Sequence, residues 1–375
     1  MRKLLAVAAL VVVMLVAPVH AATAPPPRVS AAAWYLVGED DVVLAQRSAR
    51  ARRPIASITK LMTAVLVLEH ARLSDVVTVG AVAVSAGEST VFLRPGERLT
   101  VADLLRGMLI RSANDAAEAL ALHVGDGSIR RFVSLMNQKA RELGLTDTTF
   151  VNPHGLDARG HLSSARDTTT LVRHALGIPF VRETLDRSVV VLPGGRVFPT
   201  TDDLLDTWPP LVGGKTGHTA GAGWSQAAAA RRGGVTVYGT VLGGRSRAAR
   251  NGALQGLLEY GLQRYRRVTV VDAGRVYGEA ETGYGRAPVE LVASETMVRT
   301  VHEEMALVER VIVPTAVVLP VTKGSVLGSV EVYAGTRLVA SSNLVAADDV
   351  TEPGVVGKVM WYAGRTVHHL WGLVS

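Results

Sequence analysis

Cysteine is missing from all 375 residues of the chain. No disulfide can staple the fold, and no thiol is available as a nucleophile or a soft metal ligand. Charge is also scarce, at 19% against 48% hydrophobic, so a chain of this length can bury a substantial core and hold more than one domain. Aromatics make up only 5%, and no aromatic-basic stripe accompanies the scattered arginines. The net charge of +7 therefore does not point to nucleic acid. It suits anionic lipid headgroups or an acidic wall polymer better. No internal repeat or low-complexity tract is present.

What is there begins with a leader. Arg2 and Lys3 precede the apolar stretch Leu4 to Val16, and Pro18-Val19-His20-Ala21 puts small residues at the minus-three and minus-one positions of a cut after Ala21. That is the pattern of a secretory signal peptide over residues 1–21. The apolar stretch falls short of the ~20 residues that span a bilayer. Residues 22–30, with Pro25-Pro26-Pro27, read as an extended lead-in to the first domain.

Residues 31–265 read as one α/β domain. Trp34 to Ala45 forms a hairpin around Gly38-Glu39-Asp40-Asp41, and helices are expected from Ser57 to about Ala71 and from Thr100 through Leu109. Asp103, three residues after Thr100, completes a capping-box pattern. Further helices are expected over Ala116–His123, Ile129–Leu143 and Ala165–Leu176, then strands at Val212–Thr216, Gly223–Ala230 and Val235–Leu242, and a closing helix from Ala248 to Tyr265. This order packs a helical block on an antiparallel sheet. After Arg266-Arg267 the chain is rich in Val and Thr with turn glycines. Residues 266–350 read as a small all-β domain with strands at Val311–Val313, Ala316–Val321, Ser329–Tyr333 and Arg337–Ala340. Beyond Pro353-Gly354, apolar residues recur at Val356, Val359, Met360, Ala363, Val367, Leu370, Trp371 and Val374, with Lys358, Arg365 and His369 elsewhere on the turn. Residues 353–375 therefore form an amphipathic helix suited to a membrane interface, or else one docked on its own β domain. Its interior charges disfavour a spanning helix.

Three short patches carry chemistry: Ser57-Ile58-Thr59-Lys60, Ser112-Ala113-Asn114 and Lys215-Thr216-Gly217. Taken singly, Ser57 is an N-cap, Asn114 a turn residue and Lys215 a solvated strand charge. In this order, at a helix start, an interhelix turn and an edge strand, they compose a serine-acylation site. A serine hydroxyl needs a base beside it, and Lys60 lies one turn on from Ser57, on the same face. A lysine with its ordinary pKa of ~10.4 is protonated and useless as that base. Burial and the charge of Lys215 can hold it neutral. Ser112 can relay a proton between Lys60 and a leaving amine. Asn114 can hold Lys60 through its carbonyl and a substrate backbone through its amide. Gly217 permits close approach of a peptide adding to the edge strand, where Lys215 and Thr216 offer charge and a hydroxyl to a carboxylate.

The chain resembles the D-alanyl-D-alanine carboxypeptidase family, the serine-type low-molecular-mass penicillin-binding proteins. The resemblance rests on Pro54-Ile55-Ala56-Ser57-Ile58-Thr59-Lys60-Leu61-Met62-Thr63-Ala64, on Leu93-Arg94-Pro95-Gly96-Glu97 and on Leu109 to Ala116 around Ser112-Ala113-Asn114. It continues in Asn152-Pro153-His154-Gly155-Leu156, Ser163-Ser164-Ala165-Arg166-Asp167 and Lys215-Thr216-Gly217-His218-Thr219. It covers nearly all of the chain after the leader. It implies the penicillin-recognising, β-lactamase/transpeptidase-like fold, and a carboxypeptidase that trims the terminal D-alanine from peptidoglycan stem peptides through an acyl-enzyme on Ser57. β-Lactams would be covalent inhibitors, and no cofactor or metal would be needed. It places an oxyanion hole at the backbone N–H groups of Ser57 and His218, and a carboxylate-binding arginine before the closing helix. Arg250 fits that place, with Arg245 and Arg247 as competitors. The protein would work on the outer face of the cytoplasmic membrane. Ala220-Gly221 departs from the acidic or larger polar residues that many relatives carry after Thr219.

Rival readings lack their own signatures. A class A β-lactamase needs a deacylating glutamate, and between His123 and Lys215 only Glu142 and Glu183 occur, both in expected helices. A zinc carboxypeptidase needs clustered ligands, but His302-Glu303-Glu304 has no second histidine at helical spacing. A non-catalytic peptidoglycan-binding or penicillin-sensing module has no use for Ser57 beside Lys60. A transpeptidase or endopeptidase would use the same residues, and sequence separates it poorly.

Overall fold

A computed structural model describes the backbone of residues 9–16 and 28–371 and the side chains of residues 28–363. The chain divides into two compact units, residues 24–264 and residues 265–375 with 1–23.

The first unit is built on a five-stranded antiparallel sheet. Its strands are β1 (Ala33–Gly38), β2 (Val43–Arg47), β3 (Leu211–Thr219), β4 (Gly223–Arg232) and β5 (Val235–Gly244), in the order β2-β1-β5-β4-β3. β3 is thus an edge strand. Strands covered on both faces read as continuous apolar runs rather than alternating ones. β1 is such a strand, buried at all six positions. Ala33, Tyr35 and Val37 face the main core, whereas Leu36 lies near Gly239 and Gly261, beside Leu258. Four successive alanines, Ala227–Ala230, are buried in β4, which makes contact with a helix on each side of the sheet. Alanine is a poor strand former, but here its small side chain lets both layers approach.

The helical block comprises α1 (Lys60–His70), α2 (Val101–Ile110), α3 (Asn114–Val124), α4 (Ile129–Glu142) and α5 (Ala165–Leu176). The closing helix α6 (Arg247–Gln263) packs on β5, β4 and β1. Side-chain caps fix where several of these start. Thr100 accepts from Asp103 N, Ser128 from Arg131 N, Ser164 from Asp167 N and Ser246 from Ala249 N. α1 sits at the centre, with Leu61, Met62, Ala64, Val65, Leu66 and Val67 all inaccessible to solvent or nearly so. Each of the Leu, Met and Val side chains contributes roughly 1.5–3 kcal/mol when fully buried.

The second unit is all-β with one terminal helix. Strands β6 (Tyr265–Val271) and β9 (Met297–His302) pair with each other. A larger sheet joins β10 (Leu307–Pro314), β11 (Val326–Ala334), β12 (Arg337–Ala346), β8 (Val289–Ala293) and β7 (Val276–Thr282) in that spatial order. Four of these strands, β6 to β9, lie where the sequence shows only Val- and Thr-rich texture. The strand Ala9–Val16 runs antiparallel to β10. It is the middle of the stretch read above as a leader; Arg2, Lys3, the cleavage site at Ala21 and Pro25-Pro26-Pro27 lie outside the described residues. The tail forms helix α7 (Val355–Trp371), and Val374 also lies outside the described residues. Trp361 and Lys358 meet the ring of Tyr284, each 5.5 Å from its centroid, whereas Val355, Val356, Val359 and Met360 are exposed. No helix among the described residues is long and apolar enough to cross a membrane.

Candidate active site

Ser57 does not begin α1 itself. It lies in a short 3-10 turn, Ala56–Thr59, that runs into α1 at Lys60. With three residues per turn, positions i and i+3 stack more directly than in an α-helix. The Lys60 amine is 2.8 Å from Ser57 Oγ. Nζ also lies 2.7 Å from Asn114 Oδ1 and 2.8 Å from the His154 carbonyl oxygen. Asn114 reaches this point because it opens α3. It also donates through Nδ2 to Gly87 O at 3.0 Å, which leaves one amide hydrogen for another partner. Ser112 lines the same cleft as Ser57 and Asn114, at a φ of 65°, a left-handed conformation uncommon for serine. Backbone strain of this kind gathers at functional sites.

The His154 carbonyl is a partner that the sequence does not reveal, since any residue type supplies one. Its loop is organised by Asn152, whose Oδ1 accepts from His154 N and Gly155 N while its Nδ2 donates to Leu156 O. Gly155 has φ 92°, and a Cβ there would lie 1.9 Å from Ala56 O. The loop is thereby pressed against the turn that carries Ser57.

β3 forms the other wall. Gly217 is also needed for a close approach within the chain itself. A Cβ at that position would lie 3.0 Å from Ser57 N, so the neighbour is the chain's own nucleophile turn. Lys215 is buried and donates to Thr216 O. Thr216 Oγ1 is 2.6 Å from Thr201 Oγ1, and His218 stacks on Trp224 with ring centroids 4.1 Å apart. Thr201 and Trp224 both line the cleft. Trp224 stands opposite His218 across the β3–β4 pair, so only the register brings it in.

Of the three candidate arginines, Arg247 and Arg250 line the cleft and Arg245 is exposed. Arg250 is 2% exposed, 5.9 Å from the Trp224 ring and 3.6 Å from Asp203. Arg247 is half exposed and already paired with Asp203.

Burial holds the Lys60 amine well below its ordinary range, and the Lys215 charge pushes the same way. Burial brings Lys215 down to about 7; Asp202 pulls it up and Arg250 pushes it further down. Asp202 is itself buried, and its carboxylate accepts from Gln226. Among the described residues no group of three or more His, Cys, Asp or Glu side chains is placed to hold a metal ion.

Comparison with known proteins gives this arrangement a lineage. Residues 20–246 match the D-alanyl-D-alanine carboxypeptidase family, and residues 265–352 match the penicillin-binding protein 5 C-terminal domain. The D-alanyl-D-alanine carboxypeptidase DacC of Escherichia coli is 31% identical over 92% of this chain and 90% of its own length. DacF of Bacillus subtilis is 30% identical over 84% of each. Penicillin-binding protein 5 of Haemophilus influenzae superposes with a TM-score of 0.64 at 28% identity, covering 88% of this chain and all of that one. The Streptomyces K15 DD-transpeptidase superposes at 0.61 with 31% identity, covering 64% of this chain and all of that one. The expected α/β penicillin-recognising domain followed by an all-β domain is what the fold shows, with the second domain matched by the family model and by the penicillin-binding protein 5 structure. With a serine, a buried lysine and a cleft ending in cations, the chain belongs to the serine-type D-alanyl-D-alanine carboxypeptidases, the penicillin-binding enzymes that act on peptidoglycan stem peptides.

Proposed function

We propose that Ser57 is the nucleophile and Lys60 its base. The observation that carries this reading is the set of three partners around the Lys60 amine. Asn114 Oδ1 and the His154 carbonyl can only accept hydrogen bonds. A neutral amine has two hydrogens, so these two acceptors take both. With the amine neutral, as its burial favours, its lone pair is left to accept the Ser57 hydroxyl hydrogen across the 2.8 Å contact. Lys60 takes the Ser57 proton as Oγ bonds to the carbonyl carbon of the penultimate D-alanine. The resulting oxyanion faces the N–H groups of Ser57 and His218. Ser112 relays the proton to the departing nitrogen, the C–N bond breaks and D-alanine leaves. Water then hydrolyses the ester, with Lys60 again the base.

The substrate's terminal carboxylate is held by Lys215, Thr216 and Arg250. Arg250 is preferred over Arg247 because it is buried in the cleft wall, keeps only a 3.6 Å contact to Asp203 and donates to the neutral Asn251, whereas Arg247 is half exposed and closely paired with Asp203. The peptide runs antiparallel to β3, its carboxylate toward Thr216 and its acyl part toward Thr219, with Gly217 beside the scissile bond. A second reading is transfer of the acyl group to an amine, favoured by the likeness to a DD-transpeptidase.

D-Alanine release from diacetyl-Lys-D-Ala-D-Ala, with and without an added amine acceptor and with penicillin, tests both. Release that vanishes in Ser57→Ala and under penicillin supports hydrolysis. Penicillin labelling with product only when acceptor is present moves the assignment to transfer. Neither labelling nor release overturns the site.

We further infer that residues 1–21 are a cleaved leader, that the protein acts outside the cytoplasmic membrane, and that α7 lies on the membrane surface. The exposed Val355, Val356, Val359 and Met360, beside a helix face resting on Tyr284, support the last of these. Sedimentation with anionic vesicles measures that attachment, and mass of the exported protein measures the cleavage.

A further inference from the structure

The loop that supplies the His154 carbonyl and the turn that follows β3 are joined by one side chain. Asp157 Oδ1 accepts from Thr219 Oγ1 at 2.7 Å, and Oδ2 accepts from Gly221 N at 2.9 Å. Thr219 Oγ1 in turn accepts from Ala222 N at 3.0 Å, so the turn is closed around the same group. Gly221 makes room for this. A Cβ there would lie 2.9 to 3.1 Å from the three carboxylate atoms of Asp157, so the carboxylate would have to shift. The glycine that departs from the acidic or larger residue expected after Thr219 is therefore matched to the carboxylate across from it.

The two segments so joined carry the two halves of the acylation chemistry. Asp157 directly follows the Asn152–Leu156 loop, whose His154 carbonyl takes one hydrogen of the Lys60 amine. One residue before Thr219 is His218, whose backbone N–H faces the developing oxyanion in the reading above. β3 is an edge strand, hydrogen-bonded in the sheet only to β4; Gly217 packs on the Ser57 turn and His218 on Trp224, and Asp157 adds the contact that ties the residues beyond them, Thr219 to Ala222, to the His154 loop.

We propose that Asp157 is a positioning residue for acylation, a latch that fixes the end of β3, and with it the His218 N–H, relative to the Ser57–Lys60 pair. Its effect is on the geometry of the transition state rather than on ground-state binding of the peptide. The inference rests on Ser57 being the acylated residue. It is separable from that reading, since the reading is judged on the unaltered protein and the latch only on variants.

The test is the second-order rate of acylation by a fluorescent penicillin, with kcat and KM for diacetyl-Lys-D-Ala-D-Ala, in Asp157→Ala, Asp157→Asn, Gly221→Ala and the Asp157→Ala/Gly221→Ala double variant. Misplacing a reacting group by about 1 Å can cost up to about a hundredfold, so Asp157→Ala is expected to lose about tenfold or more in acylation and kcat, with KM little changed. Asp157→Asn is expected to stay within about threefold of the unaltered protein, because the amide can accept from Gly221 N and donate to Thr219 Oγ1. Gly221→Ala keeps Asp157 but displaces its carboxylate, and is expected to reproduce the Asp157→Ala loss. The double variant is expected to be no worse than either single one, the signature of two residues acting through one contact. Asp157→Ala at the unaltered rate overturns the proposal. So does an Asp157→Asn as slow as Asp157→Ala, which would assign the negative charge itself to substrate binding, and so does a double variant whose losses add. If the unaltered protein is not acylated at all, the Ser57 reading has failed and not the latch.

Discussion

The two units of this protein treat buried charge differently. The first buries Lys60, Lys215, Arg250, Arg264, Asp115, Asp167, Asp202, Glu118 and His161. In the second, among the described residues, the buried acidic or basic side chains are Glu309 and His302, and Glu309 is answered by Arg275 at 2.9 Å. Otherwise its core is Val, Leu, Ala and Tyr. A buried ion is expensive, and a well-packed apolar replacement is often as stable or more so. The second unit shows that a fold can be built nearly without such ions, so their concentration in the first marks something other than folding. Not all of them are chemical. Asp115 accepts from Val91 N, Leu93 N and Ala116 N and pins the 91–93 segment beside α3. Lys60, Lys215 and Arg250 are set apart by their place at one cleft: Arg250 lines it with Ser57, Lys60 meets Ser57 and Asn114 on its wall, and Lys215 lies behind Thr216.

The comparison is broken most sharply at Lys60. Lys60→Met keeps a long apolar stem and removes the base, and general-base catalysis contributes about 10²–10⁴-fold. Acylation by penicillin is expected to fall by that order, with the protein still folded by circular dichroism. Lys60→Arg is expected to fall as far, because a guanidinium stays protonated. An arginine variant that retained full acylation would mean that Lys60 supplies charge rather than basicity.

A pH profile sharpens it at Lys215. Its amine is held down to about 7, so in the free enzyme it is charged below that pH and neutral above. Attraction for the substrate carboxylate should therefore be present in acid and fade as pH rises through about 7. A charge-assisted hydrogen bond exceeds a neutral one by an amount worth about tenfold. The expected result is an alkaline limb in kcat/KM of that amplitude, centred near pH 7, and absent in Lys215→Arg. A flat profile between pH 6 and 8.5 would assign carboxylate binding to Arg250 and the threonines alone.

How much of this was legible beforehand follows the length scale of each signal. Ser57 and Lys60 are three residues apart, and Thr100 with Asp103 likewise, so one turn of helix brings each pair together wherever the rest of the chain goes. Helix α5 could be bounded from its Ser164 cap and Leu176 end. The start of α1 was misread because a 3-10 turn and an α-helix share the same apolar spacing over four residues. Trp224 and Thr201 were missed because they reach the cleft through strand register or a loop, and Asp202 because it acts from behind the cleft, on Lys215. The His154 contribution was missed because a carbonyl has no side-chain signature. Strands β6 to β9 were missed because apolar and polar residues do not alternate cleanly along their sequences.

The smallest effect on turnover is expected in the second unit, and it is the one that separates the roles of the two. Helix α7 turns Lys358 and Trp361 to Tyr284 and leaves Val359 and Met360 exposed at 60% and 70%. Val359→Asp with Met360→Asp places two carboxylates on that apolar face without touching the Tyr284 contact. Each buried CH₂ is worth roughly 0.8 kcal/mol, so removing two apolar anchors and adding repulsion from anionic lipid is expected to lower vesicle partitioning by about a hundredfold. Turnover of the soluble tripeptide should be unchanged, since no residue of the cleft lies in that unit. If both partitioning and turnover stay as they were, the exposed face is not what meets the membrane. If turnover falls with partitioning, the two units are energetically coupled, and the contrast in buried charge would describe one machine rather than a catalyst and its support.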